Sequence, residues 1–94
     1  MNEKEVLRQA VDKYGSSSQT DMMIEEMSEL TKALLKYRRA VRDLDTSEYE
    51  TVMRNILEEM ADVSIMLDQM EILYGSYKQY RKRKIERLER RLNA

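Results

Sequence analysis

The sequence predicts an all-α protein, an antiparallel bundle of about four helices per chain whose core is completed by oligomerisation. Three observations predict it. The 94 residues include no Pro and only Gly15 and Gly75, so the chain meets few breakers. Met, Leu, Glu, Lys and Arg, all good helix formers, are abundant. No stretch alternates with period two over a useful length, whereas apolar residues recur at helical spacing.

The first helix is expected near residues 3–14, with Val6, Leu7, Ala10, Val11 and Tyr14 as its apolar stripe. Gly15 to Ser18 reads as a loop. A second helix, roughly 19–44, carries Met23, Met27, Leu30, Leu34, Tyr37, Val41 and Leu44, spaced alternately by four and three as in a packing seam. After Asp45 and Thr46, Ser47 and Glu50 match a capping box that opens a third helix over about 48–74. Gly75 closes that helix, Ser76 is placed to cap the next start, and a basic fourth helix runs to about Leu92. The third helix is apolar on nearly every side, which marks a buried helix, covered by its own bundle and by a second subunit.

The length fits one domain, residues 1–94. A chain this short buries only about two-thirds of the surface its unfolded form exposes, and oligomerisation is a common remedy. Without Cys there is no disulfide, thiolate catalyst or cysteine-bound zinc. Without His the usual general base and the commonest transition-metal ligand are also missing. Catalysis would have to use Asp, Glu, Lys, Tyr, Ser or Thr, or a hard metal held by oxygen. No apolar run is long enough to span a bilayer, and Met1 to Glu5 lacks the order of a secretory leader, so a soluble, cytoplasmic protein is expected. Charge is unevenly placed. Lys78 to Arg91 holds eight basic and two acidic residues (+6); the remainder holds nine basic and sixteen acidic (−7). The acidic body suits a cation, and the basic end suits phosphate.

Some acids break the apolar pattern. At about 100° per residue, Glu59 falls inside the apolar arc of the third helix, among Val52, Met66 and Met70, with Asp62 at the arc's margin. On the second helix Glu26 lies beside the seam, Glu29 about 60° further round, and Glu25 points away. Residues three apart on a helix can converge on one ion. Burying several unpaired anions is very unfavourable unless something compensates. A cation shared by four oxygen ligands does so, and ligands without His or Cys favour Mg²⁺ or Mn²⁺. The plainer alternative is a solvated helix face with local ion pairs, such as Glu29 with Lys32. From the residues alone both readings stand.

Glu25-Glu26-Met27-Ser28-Glu29 reads E-E-x-x-E, and Glu59-Met60-Ala61-Asp62 reads E-x-x-D. In this order, each within a long amphipathic helix, the motifs resemble those of MazG-like members of the all-alpha nucleoside triphosphate pyrophosphohydrolases. Met22 to Leu35 and Ile56 to Leu67 match the family's apolar pattern, and Gln19 sits where such sequences often carry one. The resemblance covers roughly residues 15–75. It implies antiparallel helices assembled as homodimers or homotetramers, and hydrolysis of a nucleoside triphosphate to the monophosphate and pyrophosphate with Mg²⁺ (Mn²⁺ as the alternative). Carried over by motif, Glu26, Glu29, Glu59 and Asp62 would be metal ligands, and Glu25 would take a catalytic second-metal or outer-shell role. The family often follows its second motif with substrate-gripping Asn, Lys and Arg; in this chain Lys84 and Arg87 are the candidates for substrate phosphate.

The fourth helix has a second reading. Ile85, Leu88 and Leu92 form a packing stripe on it, and its cations suit nucleic acid, although the acidic whole makes that partner unexpected. A non-catalytic helical module, binding nucleic acid or an acidic partner through this helix, is therefore the alternative function. The eight Met read as adaptable core fillers, and the six Tyr, the only aromatics, as subunit-boundary residues.

Overall fold

The computed structural model describes residues 1–94 as four helices: α1 (Glu3–Tyr14), α2 (Ser16–Arg42), α3 (Tyr49–Tyr74) and α4 (Lys78–Leu92). No helix is long and apolar enough to cross a membrane. The Asn2 side chain caps α1 by accepting from the Glu5 N–H at 2.8 Å, and its amide donates back to the Glu5 carboxylate at 3.0 Å. Glu3 and Glu5 also place negative charge at the positive end of the helix dipole.

Gly15 alone forms the α1–α2 break. Its φ of 87° turns the chain, its N–H bonds Val11 O at 2.9 Å, and its carbonyl accepts from Gln19 N at 3.1 Å. The loop expected over Gly15 to Ser18 is thus one residue. Ser16 to Ser18 occupy the first turn of α2, where the backbone N–H groups need no intrahelical acceptor.

The far end of α2 is a Schellman turn: Asp45 N–H bonds Ala40 O at 2.9 Å and Leu44 N–H bonds Val41 O at 3.2 Å. Leu44, with φ 54°, holds the left-handed position where Gly is usual. The expected helix through Leu44 therefore ends at Arg42, and Leu44 leaves the seam for solvent. The expected capping box is absent as well. Ser47 donates both its N–H (3.0 Å) and its hydroxyl (2.6 Å) to Asp45 Oδ1, and α3 starts at Tyr49 with no side-chain cap. Those two bonds also hold the Asp45 carboxyl below its ordinary value.

The short connection returns α3 antiparallel to α2. Tyr37 meets Tyr49 near the turn, with ring centroids 6.1 Å apart, and Thr20 Oγ1 lies 2.5 Å from the Tyr74 hydroxyl at the other end. Met23, Leu30 and Tyr37 are the half-buried members of the α2 seam. Val52, Ile56 and Met66 of α3, with Val11 of α1, are the only buried apolar residues. Val63, Met70, Ile72 and Leu73 are half-buried, and Leu57, Met60 and Ile65 among others are exposed, so within one chain α3 is not the fully buried helix its composition suggests.

Gly75, with φ 109°, ends α3 by donating its N–H to Glu71 O at 3.0 Å, and Ser76 Oγ accepts from Lys78 N at 3.3 Å at the start of α4. α4 then packs against none of α1 to α3. The radius of gyration, 17.0 Å, reflects that projection; a compact domain of this length has about 12 Å.

Candidate metal centre

The α2–α3 interface positions the acids. Glu26 lies seven residues after buried Gln19 on α2, and Asp62 seven before buried Gln69 on α3. Gln19 Nε2 donates to Gln69 Oε1 at 2.6 Å, which pairs two buried amides and pins the register of the two helices about two turns from the acids. Gln69 was not singled out from sequence. Its signal was the seven-residue step from Asp62 on an otherwise apolar face.

Glu26, Glu59 and Asp62 come together: one carboxylate oxygen of each lies within 4.8 Å of the others. Glu26 and Glu59 are half-buried and Asp62 is exposed, so the group lies between the helices with one side open to water. Glu59 Oε2 is shut off from solvent and has no hydrogen-bond partner. No Lys or Arg forms an ion pair with any of the three. Burial, and then the charges of Asp62, Glu59 and Glu25, hold the Glu26 carboxyl above its ordinary range.

The remaining candidates stand apart from this trio. Glu29 is half-buried and paired with Lys32 at 3.3 Å, the local ion pair that its sequence position allowed. Its carboxylate lies outside the three-acid group. Glu25 is exposed and reaches the cluster only through its charge on Glu26. Lys84 and Arg87 lie on α4, which packs against no other helix, so no helix packing holds them at the acids.

The donor set fits a hard divalent cation. Three convergent carboxylates supply oxygen only, the buried Glu59 oxygen has no other partner, and the open side leaves room for water or phosphate. Such a cation would also offset the burial and the like-charge repulsion that together raise the Glu26 pKa. Compared with family models, with curated proteins and with solved structures, the chain finds no match.

Proposed function

We propose that this protein is a cytoplasmic, oligomeric, MazG-like nucleoside triphosphate pyrophosphohydrolase that works with Mg²⁺ or Mn²⁺. The observation that carries the reading is the convergence of Glu26, Glu59 and Asp62, with an unpartnered, buried oxygen on Glu59. The E-E-x-x-E and E-x-x-D motifs supply two of these acids from α3 and one from α2.

In this reading Glu26, Glu59 and Asp62 hold the cation, and Glu29 joins them by releasing Lys32. A bound cation would neutralise the triphosphate and lower the pKa of a bound water. Phosphoryl transfer depends mainly on positioning and charge stabilisation, so the absence of His and Cys is no obstacle. Glu25, exposed and acting on the cluster through its charge, would take a second-metal or outer-shell role. Lys84 and Arg87 are the candidate phosphate contacts, and they require α4 to approach an acid cluster.

The test is release of pyrophosphate from a panel of ribo- and deoxynucleoside triphosphates, with Mg²⁺ and with EDTA. Metal-dependent formation of pyrophosphate and monophosphate is expected, and Glu59→Gln should abolish it with helicity intact. Full activity of that variant would overturn the site. One observation favours the second reading, a non-catalytic module: α4 is free of its own chain and carries eight basic residues. A salt-sensitive gel shift, with no Mg²⁺ effect on melting, would select it.

A further inference from the structure

The α2–α3 hairpin leaves one side uncovered. Met27, Leu34 and Val41 on α2 follow at seven-residue intervals, as do Met53, Met60 and Leu67 on α3. Residues seven apart share one stripe of a helix. Thr20 begins the first row and Tyr74 ends the second, and their hydroxyls meet at 2.5 Å. In an antiparallel pair that contact puts both rows on the same side of the hairpin. The six apolar members are 38–51% exposed, and Leu57 beside them is 61% exposed. With Tyr74 they offer roughly 100 Å² apiece, about 800 Å² in all, the area one partner contributes to a standard-size interface.

α4 is the complementary piece. Its stripe of Ile85, Leu88 and Leu92 is 50–77% exposed and meets no part of its own chain. An isolated helix of 15 residues is marginal in water without packing. Opposite net charge also draws the arm toward the body of another copy, +6 over Lys78 to Arg91 against −7 over all other residues together.

We propose that α4 of one copy packs its Ile85–Leu88–Leu92 stripe onto the open α2–α3 face of a second copy, and reciprocally, giving an arm-exchanged homodimer. Fifteen helical residues span about 22 Å, within the length of the rows that run from Thr20 to Val41 and from Met53 to Tyr74. The proposal goes beyond the catalytic reading, and its test reads mass rather than turnover.

Sedimentation of the full chain over a concentration series is expected to show a dimer that loosens at high salt. The arm variant Ile85→Glu/Leu88→Glu and the face variant Met60→Glu should each weaken association about tenfold or more. Both should keep their helicity, because these side chains support little within one chain. Mixing the two variants should restore heterodimer, since one intact arm then meets one intact face. A monomeric wild type, a dimer undiminished in the arm variant, or no gain on mixing would overturn the proposal. So would a monomer whose mass shifts only when nucleic acid is added.

Discussion

Glu26 of α2 and Glu59 of α3 face each other across the helix pair, with carboxylate oxygens within 4.8 Å and no cation of the chain paired to either. Two half-buried like charges oppose the packing that brings them together. Glu59→Gln removes one charge and gives its buried Oε2 position a group able to donate. In EDTA the variant should therefore be more stable than the wild type by about 1 kcal/mol, roughly 5 °C in Tm for a domain of this size. In Mg²⁺ the order should reverse, because only the wild type gains from the ion. Thermal melts of both proteins with and without Mg²⁺ check it; equal Mg²⁺ shifts would remove Glu59 from the site.

The pH dependence follows from Glu26. Its folded-state pKa is raised above the ordinary 4.5, by burial first and then by Asp62, Glu59 and Glu25. The folded chain therefore binds this proton more tightly than the unfolded chain. The resulting stability is present below about pH 4.5 and is lost as pH rises through the folded pKa. Asp45 runs the other way: its lowered pKa contributes stability above its ordinary 3.8 that is lost on acidification. Glu26→Gln should flatten the decline above pH 4.5 in EDTA and leave the acid limb in place. Denaturant melts across pH measure both limbs, and an unchanged upper limb would show that Glu26 does not carry it.

Much of this architecture was legible in the residues, because helical periodicity and glycine placement are local signals. The spacing of apolar residues located all four helices, and Gly15 and Gly75 marked two of the three breaks. Glu26, Glu59 and Asp62 were visible as acids on faces that ought to be apolar. The expected capping box at Ser47 lost to a competing local hydrogen bond. Ser47 had the right partner at Glu50 for a capping box, but Asp45 takes its hydroxyl and N–H instead. Ser16 to Ser18 read as loop by composition, yet one positive φ at Gly15 completes the reversal. The lack of contact between α4 and the other helices depends on how the chain leaves Gly75, a global property that periodicity does not carry.

Leu44 holds a left-handed conformation, φ 54°, while its side chain is 86% exposed and buries almost nothing. A Cβ in that region costs roughly 1–2 kcal/mol, which Gly avoids. Glycine also gains freedom in the unfolded chain, which offsets part of the benefit. Leu44→Gly should therefore stabilise the protein by about 1 kcal/mol. Urea melts are the check, with unchanged steepness expected; a loss of stability would mean that Leu44 is covered in solution, for example by another copy.

Gln19 and Gln69 test how far the helix register supports the acids. Both are buried and joined at 2.6 Å. Replacing Gln69 with Leu leaves the Gln19 amide buried without its acceptor, a loss of about 1–3 kcal/mol. Replacing both, Gln19→Met with Gln69→Leu, removes the orphan and should recover most of that stability. A double-mutant cycle measures the coupling. If the pair also sets the spacing of Glu26 against Asp62, the double variant will regain stability while its melting temperature responds less to Mg²⁺. A full Mg²⁺ response would assign the amides to packing alone, with the acids held by the apolar seam.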